Sequence, residues 1–206
     1  MALVIDMHAL QVFMSYEVEA VGGRRQWRHC PSCGSSLADA VIDGLVRKIC
    51  SQPDCRFILY SNPAPAVSVL VVDGERFLLC RRRPRSLEGG KWCLPCGYVE
   101  FHEDFLTAAR REVKEETGLD VEIEAILSVV SNFFTRDVHS MVAVLLAHVM
   151  GGEAQAGDDV DQVRWVSLAD DLPALAFEAD RHIVDRYFLT RLPGAPVDAR
   201  YARSTI

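Results

Sequence analysis

The sequence GYVEFHEDFLTAARREVKEETGL, residues 97–119, predicts a turn, a helix of about four turns and a glycine stop. Residues 105–117 contain neither Gly nor Pro, and Gly118 suits the left-handed backbone that often ends a helix. At about 100° per residue, the predicted helix has an apolar arc beside an acidic arc. The apolar arc consists of Leu106, Ala109 and Val113, and the acidic arc consists of Glu112, Glu115 and Glu116.

The acidic arc of this helix calls for a positively charged partner. Like charges four residues apart, such as Glu112 and Glu116, destabilise a helix by about a few tenths of a kcal/mol. A hard divalent cation fits best, because Mg²⁺ or Mn²⁺ binds carboxylate oxygens, keeps several waters and bridges to phosphate oxygens. The alternative is a solvated acidic face, which is what most charge runs are. The glycines at both ends of the segment favour the metal site.

At these residues the chain resembles the Nudix hydrolase family, whose box is G-x5-E-x7-R-E-(apolar)-x-E-E-x-G-(apolar). Every fixed position is met, by Gly97, Glu103, Arg111, Glu112, Val113, Glu115, Glu116, Gly118 and Leu119. The resemblance covers roughly residues 64–192. It implies an α/β fold, in the form of an α/β/α sandwich with a mixed β-sheet.

The resemblance also implies an enzyme that hydrolyses a nucleoside diphosphate linked to another group, by attack of water on phosphorus. Catalytic Mg²⁺ or Mn²⁺ would be bound by the Gly97 carbonyl, Glu112, Glu115 and Glu116. Glu103 and Arg111 would form a supporting ion pair that fixes the loop and the helix.

Two residues are candidates for the general base. Relatives place the base either on the box helix, where Glu116 lies, or on a glutamate of a later loop. The matching loop here is residues 157–161, in which Asp159 occupies the position of that glutamate. Asp is one methylene shorter than Glu, so Asp159 is the weaker candidate. Its alternative role is that of a solvated loop acid.

The spacing of the cysteines predicts a second metal site. Cys30 and Cys33 form one pair and Cys50 and Cys55 another, with sixteen residues between the pairs. Two such pairs are typical of a tetrahedral zinc ribbon, in which each knuckle contributes two thiolates. The segment between the pairs predicts a hairpin with its turn at residues 43–44, Asp-Gly. We therefore expect a structural Zn²⁺, the alternative being four unligated buried thiols.

Further apolar segments predict the rest of an α/β domain. A hairpin is expected from residues 66–72 and 76–81, with Asp73-Gly74 at its turn. The later elements expected are strands at residues 121–130, 141–149 and 162–166, and a helix at about residues 179–192.

Two substrate-binding residues are expected, Arg81 and Phe177. Three arginines end the second strand of the hairpin, and one of them, with Arg81 as the candidate, would face the substrate phosphates. The alternative is a solvated strand end. Phe177, like Phe133 and Phe134, could stack on adenine or isoalloxazine, although an aromatic residue in such an apolar setting is more often part of the core.

Turn-forming and linker segments in the sequence divide the chain into three expected parts. Residues 1–27 are expected to form an N-terminal extension without a recognisable motif, and residues 28–62 the zinc ribbon. The sequence SNPAP at residues 61–65, with two prolines, then links the ribbon to the Nudix hydrolase domain, residues 63–206.

Composition limits the function classes. Half of the 206 residues are apolar and a quarter are charged, as in ordinary globular proteins. The net charge of -7 argues against a broad electrostatic contact with nucleic acid, although a small nucleotide could still be bound locally. No apolar run is long enough to span a bilayer, and the first residues lack a basic leader, so a cytoplasmic location without a membrane partner is expected. Relatives are commonly dimers, which implies a homodimer.

A zinc ribbon ahead of a Nudix domain resembles two branches of the family, NADH pyrophosphatases and a branch acting on FAD and ADP-ribose. The NADH branch carries a Ser-Gln-Pro-Trp-Pro segment after the box, and residues 128–136 here are SVVSNFFTR. The segments that favour the second branch are Asn62-Pro63, Leu175-Ala176-Phe177 and Thr205-Ile206. Cleavage of FAD or ADP-ribose, giving AMP plus FMN or ribose 5-phosphate, is therefore expected.

Two alternative functions remain open. One is hydrolysis of NADH, NAD or NAD-capped RNA. The other is a regulator without enzymatic activity, which would sense nucleotides and use its zinc ribbon to bind a partner. Substituted box glutamates would be the mark of such a regulator, and the box here is intact.

Overall fold

The computed structural model describes residues 12–13, 27–134 and 138–198. The strands are β1 (Val12–Phe13), β2 (Leu37–Ile42), β3 (Leu45–Cys50), β4 (Ile58–Leu59), β5 (Ala64–Asp73), β6 (Arg76–Arg82), β7 (Trp92–Cys93), β8 (Cys96–Tyr98), β9 (Leu119–Phe133), β10 (His139–Gly152), β11 (Val160–Ser167) and β12 (Ala195–Pro196). The helices are α1 (Phe105–Thr117) and α2 (Glu178–Thr190). In these residues, neither helix has the length and apolar character needed to cross a membrane.

The predicted cysteine segment folds as a small separate sheet. Strands β2 and β3 pair antiparallel around a turn at residues 43–44, as the Asp-Gly signal predicts, and β4 pairs with the other edge of β3. The pairing of Leu37 with Cys50 brings the start of β2 beside the second cysteine pair. A hairpin of this length thereby joins two cysteine pairs that are distant in sequence.

The larger sheet is mixed. Its main path runs β1-β9-β10-β5-β6-β11, and β7, β8 and β12 pair with β6, β5 and β9 respectively. Strands β10 and β5 are parallel, as are β1 and β9, whereas β9 and β10 form a long antiparallel ribbon. Parallel neighbours that follow one another only through a long crossover are typical of an α/β domain.

The two helices cover opposite faces of this sheet. Alternate residues of a strand point to opposite faces, so Val69 packs in one cluster with Val113 of α1, and Leu70 packs in another with Ile183 of α2. All four side chains are buried. The predicted α/β/α sandwich with a mixed sheet, preceded by a small β module, is confirmed.

Several elements differ from the sequence-based boundaries. Strands β9 and β10 extend beyond residues 121–130 and 141–149, because each continues as a hydrogen-bonding partner of the other where the apolar pattern has ended. The hairpin turn lies at residues 74–75, one residue later than predicted, since Asp73 still pairs with Arg76. The shortest strands were not predicted, because two or three residues cannot display a period.

The predicted N-terminal extension contributes to the core. Strand β1 pairs with β9, and the ring of Phe13 is buried and lies 5.7 Å from that of His182, measured between centroids. Residues 1–11 and 14–26 of the extension lie outside the described residues. The boundaries proposed for the three parts of the chain therefore stay predictions.

Helix α1 has the predicted limits because both ends are capped. The Asp104 side chain accepts hydrogen bonds from the backbone N–H groups of Leu106 and Thr107, at 2.9 and 3.0 Å. At the other end, Gly118 has a φ of 72°, and its N–H donates to the Lys114 carbonyl. These caps satisfy backbone groups that a helix terminus otherwise leaves unpaired.

Replacing Asp104 by alanine is expected to lower the free energy of unfolding by about 1 kcal/mol, because two N–H groups of α1 lose their acceptor. Urea denaturation followed by circular dichroism measures this change. Asp104→Ser is the control, since serine retains a capping oxygen and should unfold close to the wild-type midpoint. Equal midpoints for Asp104→Ala and the wild type would contradict the prediction.

Candidate active site and cysteine cluster

Gly97 and Glu112 are in direct contact at the start of the acidic arc. Gly97 lies in β8, and a Cβ atom added to it would be 2.1 Å from Oε1 of Glu112. Any side chain at this position would therefore displace the carboxylate. The glycine of the box thus allows the backbone of β8 to approach the Glu112 carboxylate of α1 closely.

Arg111 connects the loop before α1 to the acidic arc. Its Nε donates to Glu103 at 3.0 Å, and its Nη1 donates to Glu112 and Glu115 at 2.8 and 2.9 Å. Its Nη2 donates to the Tyr98 carbonyl at 3.0 Å and to Glu103. These hydrogen bonds lower the pKa of Glu103 and raise that of Arg111. The guanidinium thus holds three carboxylates and one backbone carbonyl in place.

Glu116 is the most enclosed carboxylate of the arc, with 1% of its surface exposed. Its Oε2 accepts a hydrogen bond from the Cys96 N–H at 3.0 Å. Burial raises the pKa of Glu116 well above its usual range, and it also raises the pKa of Glu112 against the lowering effect of Arg111. Buried carboxylates are stable as anions only beside a positive charge, so a hard cation beside Glu112 and Glu116 would stabilise their charged forms.

The loop that follows β10 is attached to the end of α1. The N–H of Gln155 donates to the Thr117 carbonyl at 2.8 Å, and that of Gly157 donates to the Glu116 carbonyl at 3.0 Å. A Cβ atom on Gly157 would lie 2.3 Å from the Glu115 carbonyl oxygen. The loop therefore keeps a fixed position relative to the acidic arc.

Asp159 lies at the end of this loop, on the side of β6. Its carboxylate is 3.5 Å from Nη2 of Arg82 and accepts a hydrogen bond from the Ser86 hydroxyl at 3.4 Å. Its side chain is 42% exposed, whereas Glu116 is enclosed. The assignment of either residue as the general base stays a prediction.

Of the arginines that end β6, the structure places Arg82 rather than Arg81 beside the other candidate residues. The Arg82 side chain is only 11% exposed, its Nη1 lies 3.9 Å from the sulfurs of Cys93 and Cys96, and its guanidinium lies 5.3 Å from the centre of the Phe177 ring. Arg81 instead forms a 2.6 Å ion pair with Asp161, which lowers the pKa of that carboxyl. Substrate binding by Arg81 stays a prediction that this geometry does not favour.

No signal in the sequence separates Arg82 from Arg81. Residues 77–80 of β6 are all buried, so Arg81 follows the buried Leu79 by two residues just as Arg82 follows the buried Cys80. The contacts of each guanidinium in the folded chain distinguish the two arginines.

Phe177 lies at the boundary between core and site. Its ring is 5.1 Å from that of Phe134, and both pack in a small cluster with Cys80 and Cys93. Phe133 instead stacks against His139, with the ring centres 3.9 Å apart. Of the three phenylalanines considered as stacking residues, Phe177 and Phe134 are therefore the pair on the side of Arg82.

The four cysteines of the ribbon converge. The sulfurs of Cys30, Cys33, Cys50 and Cys55 all lie within 4.8 Å of one another, and they form the one such cluster of potential metal ligands found among the described residues. Two of the separations are 3.4 and 3.8 Å. A tetrahedron with Zn–S bonds of about 2.3 Å has edges of about 3.8 Å, so these sulfurs fit a zinc ion.

Local hydrogen bonds favour the thiolate form of part of this cluster. The backbone N–H of Ser35 lowers the pKa of Cys33 to about 6, helped by its hydroxyl and by Cys50. The N–H of Gln52, 3.4 Å from the Cys50 sulfur, lowers the pKa of Cys50. Burial and the neighbouring thiols nevertheless raise that pKa overall to about 12, so only the first knuckle favours a thiolate before metal binds. Because zinc binds thiolates, a knuckle that directs N–H groups at its sulfurs is prepared for the metal.

Comparison with known proteins gives the same assignment for the larger part of the chain. A family model described as "NUDIX domain" matches residues 62–187. The ADP-ribose pyrophosphatase of Methanocaldococcus jannaschii is 36% identical over 142 residues, which are 68% of this chain and 82% of that protein. The NAD-capped RNA hydrolase NudC of Pseudomonas aeruginosa is 31% identical over 174 residues, which are 83% of this chain and 59% of that protein.

Among solved structures, the fold resembles that of a NUDIX hydrolase from Nitrosomonas europaea. The TM-score is 0.69 and the identity 27%, with 83% of this chain and 96% of the other covered. The chain spans less than two thirds of the NudC relative, so that relative contains further sequence without a counterpart here. The family match over residues 62–187, together with the identity to the pyrophosphatase, confirms the prediction made from the box. The chain belongs to the Nudix hydrolase family.

Proposed function

We propose that this protein is a divalent-metal-dependent hydrolase that cleaves the pyrophosphate bond of a nucleoside diphosphate linked to another group. The observation that carries the proposal is the contact of Gly97 with Glu112 beside the buried carboxylate of Glu116. The ligands that we propose for Mg²⁺ or Mn²⁺ are the Gly97 carbonyl, Glu112, Glu115 and Glu116. A bound divalent cation would neutralise charge on the phosphates and make a nearby water more acidic.

The side chains around the ligands would orient the site and transfer the proton. Arg111 binds Glu103 and the Tyr98 carbonyl, which holds the loop before α1 beside the residue that follows Gly97. Glu116 would accept a proton from the attacking water, because its carboxylate lies in the acidic arc where the proposed cation and its water would be bound. Asp159 is the alternative base. The regulator hypothesis is disfavoured by the presence of every carboxylate that this chemistry needs.

Arg82 would bind the phosphates and Phe177 the ring of the substrate. The Arg82 guanidinium is largely buried and lies close to Cys96, whose backbone contacts Glu116. A pyrophosphate bound beside this guanidinium would therefore meet a positive charge with few competing waters. The Phe177 ring lies under this guanidinium and beside Phe134. An aromatic base or isoalloxazine could therefore stack next to the phosphate position.

Two substrate classes are supported by different observations. FAD and ADP-ribose are favoured by the segments at residues 62–63 and 175–177 and by the similarity to the archaeal ADP-ribose pyrophosphatase. NADH, NAD or NAD-capped RNA is favoured by the similarity to NudC, which covers more of this chain. A homodimer is proposed from the family resemblance.

The function is tested by incubating the purified chain with Mg²⁺ or Mn²⁺ and FAD, ADP-ribose, NADH, NAD or NAD-capped RNA, and identifying the products by mass spectrometry. We expect AMP plus FMN or ribose 5-phosphate, and no turnover with excess EDTA. Glu116→Gln is expected to lower kcat by about 100-fold or more, because the amide can neither accept the proton nor replace the carboxylate as a metal ligand.

Glu122→Gln serves as the matched control for this substitution. Glu122 is exposed on β9 and its carboxylate contacts Arg110, away from the acidic arc. The Glu122→Gln variant should hydrolyse the substrate at the wild-type rate. Turnover by Glu116→Gln within a few fold of the wild type would exclude Glu116 as the base and leave Asp159.

Replacement of Arg82 by alanine is expected to raise KM about 10-fold or more, because the phosphates lose a charge-assisted hydrogen bond. Arg81→Ala is the matched control and should change KM by less than about threefold, since its guanidinium is occupied by Asp161. Steady-state kinetics on the same substrate measures both values. A larger effect at Arg81 would show that the assignment is reversed.

One Zn²⁺ per chain is expected, bound by Cys30, Cys33, Cys50 and Cys55. Mass spectrometry of metals in the purified chain measures the stoichiometry. Cys50→Ser should lose the zinc and lower the melting temperature, because three thiolates do not complete the tetrahedral shell. Cys80→Ala, which lies in the core of the larger sheet, should keep the zinc. Full zinc content in Cys50→Ser would contradict the assignment.

A further inference from the structure

Asp180 is a buried acid that the proposed chemistry leaves without a role. It is the third residue of α2, has 3% of its surface exposed, and does not cap its own helix, because α2 begins without a side-chain cap. Instead its Oδ2 accepts a hydrogen bond from the backbone N–H of Leu94 at 3.1 Å. Burial raises the pKa of Asp180 to about 7, against the lowering effects of the Leu94 N–H and Arg82. An acid of the first helical turn can serve the helix dipole from the surface, so its burial requires another explanation.

The partner of Asp180 belongs to the segment that leads to Gly97. Residues 94 and 95 connect β7 to β8, and Cys96 is the first residue of β8. The Leu94 N–H is bound by Asp180 of α2, and the Cys96 N–H is bound by Glu116 of α1 at 3.0 Å. Between them, the Pro95 carbonyl accepts a hydrogen bond from the Val69 N–H of β5 at 2.9 Å. Three successive residues are thus fixed from three different elements.

The residues before Leu94 are also fixed by backbone hydrogen bonds. The residue before Leu94 pairs with Cys80 of β6, and Trp92 exchanges backbone hydrogen bonds with residues 174 and 176, at 3.0 and 2.7 Å, just before α2 begins. The only N–H of residues 94–96 not bound by Glu116 is that of Leu94, since proline has none. Asp180 and Glu116 therefore bind both backbone N–H groups of residues 94–96, just before the proposed metal ligand.

We propose that Asp180 is a positioning residue for metal binding: together with Glu116 it clamps the backbone of residues 94–96 and so fixes the carbonyl of Gly97 as a ligand. The inference rests on the proposed function in taking that carbonyl as a ligand. Residues that orient metal ligands typically change metal affinity by about 10- to 100-fold when they are substituted. Asp180 would act through the backbone, without touching the substrate or the metal.

The test measures Mn²⁺ affinity of the purified chain without nucleotide, by electron paramagnetic resonance. Asp180→Ala is expected to weaken binding by about 10-fold or more, and Asp180→Asn, whose amide oxygen can still accept the Leu94 N–H, by less than about threefold. Glu178→Ala is the control for loss of an acid from the first turn of α2, and Val184→Ala is the control for loss of packing. Both controls should bind Mn²⁺ as the wild type does.

Hydrogen–deuterium exchange of the peptide that contains residues 94–97 gives a readout that needs neither metal nor activity. It should become faster in Asp180→Ala and remain slow in Asp180→Asn and in both controls. If Asp180→Ala does not fold, Asp180→Glu moves the acceptor by one methylene and is expected to show the same losses.

Three results would overturn the inference. They are wild-type Mn²⁺ affinity in Asp180→Ala or Asp180→Glu, equal weakening in Asp180→Asn and Asp180→Ala, and unchanged exchange at residues 94–97. Absence of hydrolysis by a wild-type chain that binds Mn²⁺ would refute the proposed function alone. A wild-type chain that binds no Mn²⁺ would refute both.

Discussion

The candidate site depends on one guanidinium. Arg111 donates to carboxylates at residues 103, 112 and 115 and to the carbonyl at residue 98, so a single rigid group sets the distance between the loop and the helix. Without it, acidic side chains on adjacent turns of α1 would repel one another. The same contact gives the arginine of the box a structural role beside its glutamates. The arginine balances part of the negative charge, and the enclosed remainder is left for a cation.

An element could be predicted from the sequence when residues within it or next to it stabilise it, and could not be predicted when a distant strand does. Helix α1 is specified locally, by an apolar arc, the Asp104 cap and Gly118, and its limits agree with the prediction. The turn at residues 43–44 is likewise local. Strands β7, β8 and β12 have no such signal, because each exists only as the hydrogen-bonding partner of a longer strand. Phe13 enters the core in the same way, through pairing with β9.

The candidate site also combines residues of a single segment with residues that only the fold brings together. Its carboxylates lie within one helix, so their spacing is a property of the sequence, and the box identifies them. Arg82 and Asp180 come from a strand and a helix separated by nearly a hundred residues, and their proximity to residues 93–96 arises from the order of the strands in the sheet. No spacing in the sequence encodes that order. Chemistry carried by one segment was therefore predictable, whereas contacts between segments required the structure.

The attachment of the loop after β10 to the end of α1 has an evolutionary consequence. The carbonyls of Glu116 and Thr117, which a helix end leaves unpaired, are taken up by N–H groups of residues 157 and 155. The backbone at Gly157 touches the Glu115 carbonyl too closely for any side chain. An insertion or deletion in residues 153–157 would break this register and move Asp159 together with Val160, which begins β11. During evolution, changes in the length of this loop are therefore expected to be tolerated less well than point substitutions within it.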